Sequence, residues 1–309
     1  MTRERATATA PPSVGNVAVG FDVLGHALDS CGDTVTVTRN TSGRVRILEI
    51  SGLDLALPLD ADANTAGRAV IALLESCPRG TGFDVSITKG IALGSGMGGS
   101  AASSVAAVVA ANATLETPCG IGTLYRAAVQ GESAASGSAH GDNVAPSLLG
   151  GLVIAPREGD PVAVPVPAWL HAAVVRPHFA LETRASRAVL GEPYPLHAFV
   201  EQSEALALTL AGCFTSDARL MRRGLRDVLV EPRRAHLIPG FAKVKSAALD
   251  CEALGASISG GGPSVFGWFE SRASAERAAI AMREAFRASG IESSAVVSAV
   301  AAPGARVIA

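Results

Sequence analysis

The segment with the most chemical potential is Leu93-Gly94-Ser95-Gly96-Met97-Gly98-Gly99-Ser100-Ala101-Ala102. It lies between a strand-like stretch and an alanine-rich run, Ser100 to Ala111, built from the best helix former. Successive small residues let a backbone approach a ligand closely, and the first turn of a helix offers unpaired N–H groups. The helix dipole adds a preference for negative charge, so the segment suits the phosphates of a nucleotide. Taken alone, the same glycines serve equally well in a tight, flexible turn. Two phosphate-binding patterns are excluded. No Gly-Lys-Ser/Thr follows the glycines, and they lack the dinucleotide spacing with its downstream acid.

The elements that position this loop are legible as patterns. Thr34 to Thr38 alternates with period two, as does Phe83-Asp84-Val85-Ser86-Ile87-Thr88, and both predict half-buried strands. Val244, Ala247, Ala248, Cys251 and Leu254 recur at helical spacing, with Gly255 as the expected stop. Ala275, Ala278, Met282 and Phe286 do the same, with Ser274 expected as N-cap and Gly290 at the far end. Ser264 to Phe269 between them predicts a strand. Strands and helices mix without steady β-α-β alternation, which predicts an α+β class. The proline-rich stretch from Pro156 to Pro167 divides the chain into expected domains 1–160 and 161–309.

Composition narrows the function. The 309 residues are 48% apolar but only 4% aromatic, so the core must be built from Ala, Val, Leu and Ile. A net charge of −2 offers nothing to attract nucleic acid or an anionic membrane. No apolar run reaches the roughly 18 residues of a membrane span, and the first residues lack a secretory apolar core. Five scattered cysteines without metal-ligand spacing fit a reducing cytoplasm.

Several segments in order resemble one family. Ala10 to Asp22 is similar to the first motif of the GHMP kinase superfamily, Gly94 to Ala102 to its second, and Ser259-Gly260-Gly261-Gly262-Pro263-Ser264 to its third. Ser136 to Pro146, Glu231 to Arg234 and Leu237 to Phe241 resemble segments typical of homoserine kinases within it. Departures are small: Gly99 stands where a serine is usual, Met97 for leucine and Gly261 for alanine.

The resemblance implies a two-domain α+β fold with a cleft for ATP and substrate, and the functions that follow from it. ATP would lie over Leu93, Gly94, Ser95, Gly96, Met97, Gly98, Gly99, Ser100 and Ala101, with Asn64 on the adenine side. Ser100 and Glu132 would hold Mg2+, a hard cation that takes oxygen ligands and keeps several waters. L-Homoserine offers a carboxylate, an ammonium and a hydroxyl. Arg187 and Arg234 would grip the first, since guanidinium matches a planar carboxylate. Asp22 would take the ammonium, and Asn16, His140 and Asn143 would surround the hydroxyl. Asn143 stands where several superfamily members place an aspartate base, and a carboxamide accepts no proton near neutral pH. The expectation is catalysis by positioning without a full general base. Lys89, ahead of the loop, is expected either near the phosphates or on a solvated strand end. Asp22 and the His140–Asn143 segment favour an amino acid over mevalonate, a sugar or shikimate, and the retained Ser100 and Glu132 disfavour a non-catalytic binding protein. The resemblance also implies a homodimer.

Overall fold

The computed structural model describes residues 3–52, 57–136, 140–191 and 193–309. In its first half the chain runs β1 (Arg5–Ala10), β2 (Ser13–Gly15), β3 (Leu24–Ala27), β4 (Asp33–Asn40), β5 (Val45–Ser51), α1 (Thr65–Leu74), β6 (Gly82–Thr88), α2 (Gly99–Ala113), α3 (Ile121–Ser136) and α4 (Val144–Leu149). It continues through β7 (Leu152–Ile154), β8 (Val162–Val164), β9 (His171–Pro177), α5 (Thr183–Ala188), α6 (Leu196–Thr215), α7 (Ala218–Gly224) and α8 (Glu231–Arg234). The remainder is α9 (Phe241–Asp250), β10 (Gly255–Ile258), β11 (Val265–Phe269), α10 (Arg272–Arg287), β12 (Ser293–Ala299) and β13 (Arg306–Val307).

These strands form three sheets, ordered β13-β1-β4-β6-β5, β2-β3-β7-β8 and β10-β11-β9-β12. The α+β expectation holds. The two alternating segments are neighbours: β4 pairs antiparallel with β6, Val35 opposite Ile87 and Val37 opposite Val85, with their apolar side chains turned inward. Helix α2 is buried nearly all round, which its Ala and Val content permits: small side chains let β1, β4, α1 and α3 close on it. Strand pairing changes over between β8 and β9, shortly beyond the expected division at residue 160, and the C-terminal β13 returns to β1.

Two helix ends differ from expectation. The N-cap of α10 is Ser271, whose hydroxyl accepts from Ser274 N–H, so Ser274 lies inside the helix. Helix α9 stops at Asp250 because Glu252 turns into the left-handed region at φ 67°, and Leu254 is buried in the approach to β10. A buried polar contact joins the second and third sheets: Trp268 on β11 donates its indole N–H to His26 Nε2 on β3 at 3.2 Å.

Candidate active site

The glycine loop owes its shape to its sequence. Gly94, Gly96 and Gly98 have φ of 58°, 74° and 66°, where a side chain is strained. A Cβ on Gly98 would meet Ser13 Oγ at 2.4 Å, and one on Gly96 would meet Gly262 O at 2.5 Å. The loop is therefore clamped between the first and third motifs. Ser13 N–H donates to Met97 O at 3.1 Å, Ser259 Oγ to Gly96 O at 2.7 Å, and Ser264 Oγ to Ser95 O at 2.7 Å. Asn16, itself left-handed at φ 67°, closes the triangle by donating from Nδ2 to Gly260 O at 2.8 Å.

Lys89 is not on a solvated strand end; it lies beneath the glycine loop. It is buried, ion-paired with Asp33, and donates to Gly99 O and Ser103 Oγ, each at 2.8 Å. Asp33 also accepts from Gly90 N–H at 2.9 Å and Ile91 N–H at 3.1 Å. A buried charge must be paired and hydrogen-bonded, and this pair ties the loop's entry to the start of α2 from beneath.

The loop forms one wall of a cleft of about 420 Å3. Leu93, Gly94, Ser95, Gly96, Gly98, Gly99 and Ser100 line it, together with Asn16, Asp22, Glu132, His140, Asn143, Arg187 and Arg234. Three of the expected residues have side chains outside this lining. The side chains of Met97, between two loop glycines, and of Ala101, in the first turn of α2, are buried in the core. Asn64 is the N-cap of α1: its Oδ1 accepts from Ala66 and Gly67 N–H at 3.0 and 3.4 Å, while its Nδ2 donates to Pro58 O at 3.1 Å. Its polar atoms are thus engaged away from the cleft lining. The homoserine-kinase-like segment is described only in part, because residues 137–139 lie outside the described residues.

At one end of the cleft Ser100 Oγ donates to Glu132 Oε1 at 2.9 Å. Burial pushes the Glu132 carboxyl up to about 7, only partly offset by that hydrogen bond. Nearby Asp142 is raised to about 6 by burial and by the charge of Asp22, although Asn16 N–H donates to its Oδ2 at 3.1 Å. These hard oxygen donors suit a divalent cation beside bound phosphates. Among the described residues no group of three or more His, Cys, Asp or Glu side chains forms a metal cage, so phosphates and water would supply the other ligands.

At the other end Asp22 gathers charge. Arg187 donates from Nη2 and Nη1 at 2.8 and 3.2 Å, and His140 Nδ1 lies 3.1 Å away. Burial lowers the His140 pKa against the opposing pull of Asp22, and Arg187 lowers it further. Asp22 is held by its backbone N–H, which donates to Asn16 Oδ1 at 3.0 Å. Arg234 is buried, donating from Nε to Ser186 O and from Nη1 to Gly260 O, both at 3.0 Å. Its short helix α8 is started by Asp227, which accepts from the N–H groups of Leu229, Val230 and Glu231. Asn143 Oδ1 accepts from Ser13 Oγ at 2.9 Å, aiming the carboxamide between the two ends.

Sequence reasoning left out the segment from Leu181 to Arg184 and named Gly260 to Gly262 only as part of a motif; both line the cleft. Leu181 N–H donates to Gly94 O at 3.0 Å, a contact no local pattern encodes. The available signal for Arg184 was a second arginine one helical turn before Arg187.

A helix start suited to phosphates faces a cluster of opposed charges across one cleft, the layout of a small-molecule kinase, and the family comparison places that kinase. The models for the GHMP kinases N terminal domain and the GHMP kinases C terminal match residues 64–151 and 205–288. A homoserine kinase of Xanthomonas campestris pv. campestris (strain B100) is 57% identical over 98% of this chain and 94% of that protein. The crystal structure of homoserine kinase from Cytophaga hutchinsonii ATCC 33406 superposes with a TM-score of 0.94 at 42% identity, covering 99% of this chain and 98% of that one. A mevalonate kinase from L. major, at 14% identity and a TM-score of 0.66 over 96% of this chain and 98% of that one, shares the fold. The chain belongs to the homoserine kinase family of ATP-dependent GHMP kinases.

Proposed function

We propose that the chain transfers the γ-phosphoryl group of ATP to the hydroxyl of L-homoserine, giving O-phospho-L-homoserine, as its place in the family implies. The observation that carries the substrate reading is the Asp22–Arg187 pair at the end of the cleft, with Arg234 beside it. An α-amino acid is a zwitterion of matching polarity. Its ammonium replaces part of Arg187 at Asp22, and its carboxylate takes the guanidinium groups so released. Arg234 keeps Nη2 for this task, because Nε and Nη1 are spent on backbone carbonyls.

The N–H groups of the loop and of the first turn of α2 receive the phosphates. The buried Lys89–Asp33 pair fixes where those groups point. Ser100 and Glu132 would hold Mg2+, which supplies charge neutralisation across the phosphates. Asn143 orients the acceptor hydroxyl, while Asn16 acts one step back: both ends of its carboxamide are used to hold Asp22 and Gly260. The loose transition state of phosphoryl transfer makes this positioning the main contribution, and the proton can leave late. Pairing of two copies is supported by the resemblance and by Leu196, Phe199, Val200 and Phe214, which leave α6 strongly apolar on its exposed side. A cytoplasmic setting is supported by five unbridged cysteines. Among the described residues no helix is long and apolar enough to cross a membrane.

The test is ADP release with ATP and magnesium over homoserine, threonine, serine, mevalonate, shikimate and galactose. Fast turnover with homoserine alone is expected. Turnover with another alcohol moves the substrate, and no turnover despite ATP binding sinks the kinase reading.

A further inference from the structure

Helix α5 is held between two anchors in the cleft. Just before it, Leu181 N–H donates to Gly94 O of the phosphate loop at 3.0 Å, and near its end Arg187 holds Asp22 at the substrate end. Ser186 fixes the helix from behind. Its buried hydroxyl donates to Gly261 O at 2.7 Å, and its carbonyl accepts from Arg234 Nε at 3.0 Å. Arg184 stands midway between the anchors, one helical turn before Arg187 and therefore on the same face of the helix. Both side chains line the cleft. The other cations are engaged. Lys89 is turned beneath the loop onto Asp33, Gly99 O and Ser103 Oγ. Arg187 gives both terminal nitrogens to Asp22, and Arg234 gives Nε and Nη1 to backbone carbonyls. Arg184 differs: among the described residues its exposed guanidinium makes no hydrogen bond and no ion pair, not even with Glu182 at the helix start. An accessible guanidinium between a phosphate site and an acceptor site suits the oxygens of a phosphoryl group passing from one to the other.

We propose that Arg184 is a catalytic residue: its guanidinium donates to the outer oxygens of the γ-phosphoryl group in flight and neutralises their charge. In that step the bond from phosphorus to the β–γ bridging oxygen breaks, and its electron pair leaves with ADP. The acceptor oxygen bonds to phosphorus, and its proton leaves to water. Arg184 keeps its own protons throughout. A loose transition state leaves the protein chiefly charge to stabilise, so a cation placed at the moving group acts on kcat rather than on binding. The role rests on the kinase reading above, but the identity of the acceptor alcohol does not enter it. It also divides the arginines by task, with Arg187 and Arg234 serving the acceptor and Arg184 the transferred group.

The test uses the full chain as wild type, Arg184→Ala and Arg184→Lys, with Arg184→Met serving where the alanine variant does not fold. Steady-state kinetics with ATP, magnesium and homoserine should show kcat of Arg184→Ala about 100-fold down, with both KM values held within about twofold. Arg184→Lys keeps the charge without the planar fork and should fall between the two. Millimolar guanidinium should speed Arg184→Ala and leave wild type unchanged, a rescue that a purely structural role would not allow. A second readout needs no acceptor: wild type should bind magnesium-ADP with aluminium fluoride, a mimic of the moving phosphoryl group, more tightly than magnesium-ADP alone, and Arg184→Ala should lose that preference. A raised homoserine KM at unchanged kcat overturns the proposal by placing Arg184 on the substrate carboxylate. A raised ATP KM at unchanged kcat overturns it by placing Arg184 on the phosphates at rest. Unchanged kinetics in Arg184→Ala, or a wild type that holds the two ADP complexes equally, overturns it as well. If homoserine is not the acceptor, the kinetics are read with the alcohol that turns over and the fluoride complex still decides Arg184, so the two readings fail separately.

Discussion

The bond between His26 and Trp268 predicts a pH dependence that can be worked out with its sign. An indole N–H only donates, so His26 Nε2 must accept, and Nδ1 carries the proton that it shares with Ala27 O at 2.9 Å. Both ring nitrogens are satisfied in the neutral form, and burial lowers the pKa from 6.5 to about 4. The unfolded chain takes up a proton as the pH falls through 6.5, whereas the fold resists until about 4. Stability is therefore present above 6.5 and is lost on acidification across this window. The full shift corresponds to about 3 kcal/mol, of which about 2 kcal/mol is lost between about pH 7.5 and pH 5. Glu132 and Asp142, with raised values, act in the opposite direction, so the raw stability curve mixes all three. Comparing wild type with His26→Gln isolates the imidazole, because the amide keeps an acceptor for Trp268 and does not titrate. Urea unfolding is the assay. The variant should be the weaker protein near neutrality and should close the gap by about 2 kcal/mol at the acid end. Parallel curves for the two proteins would refute the neutral-imidazole argument.

Four further outcomes follow from the site. Glu132→Gln should reduce magnesium-dependent turnover about 100-fold or more, yet stabilise the metal-free protein near pH 8 by about 3 kcal/mol, since a carboxyl raised to about 7 loses stability as pH climbs from 4.5; urea unfolding in chelator at pH 8 and pH 5 checks the sign. Asp22→Asn should raise the homoserine KM by about 30-fold or more with a smaller change in kcat, because it removes a charge-assisted contact to the ammonium; steady-state kinetics decide this. Lys89→Met leaves Asp33 as an unpaired buried carboxylate and should cost about 3–5 kcal/mol in urea unfolding, with a raised KM for ATP from the loosened loop. Asn143→Asp should not raise kcat; a faster enzyme at unchanged homoserine KM would show that a base had been missing.

What could be read from the sequence was whatever local chemistry encodes. The alternation of β4 and β6 and the small-residue loop are properties of adjacent residues, and they stood out without partners. What lay beyond local chemistry came from the resemblance or from distant partners. Asn64 was read as an adenine-side residue through the family resemblance; an Asn before a helix also has a local use, and here its Oδ1 accepts from the first-turn N–H groups of Ala66 and Gly67. Lys89 stayed open between the phosphates and a solvated strand end because the acid that pairs with it, Asp33, lies 56 residues earlier on a neighbouring strand. The same distance hid the most consequential feature of the substrate end. The family resemblance implied Asp22 and Arg187 as ligands for the two poles of an amino acid, and the structure shows them satisfying each other. That arrangement changes the energetics of binding. The cleft does not hold two exposed charges waiting for a zwitterion; it holds an ion pair that the zwitterion must split, so affinity is the difference between two similar sets of contacts. A neutral alcohol gains nothing from entering such a pair, because breaking it would leave both charges uncompensated. On the proposed reading, the pair selects for amino acids by penalising ligands that lack either pole, which is a stronger filter than attraction to one of them.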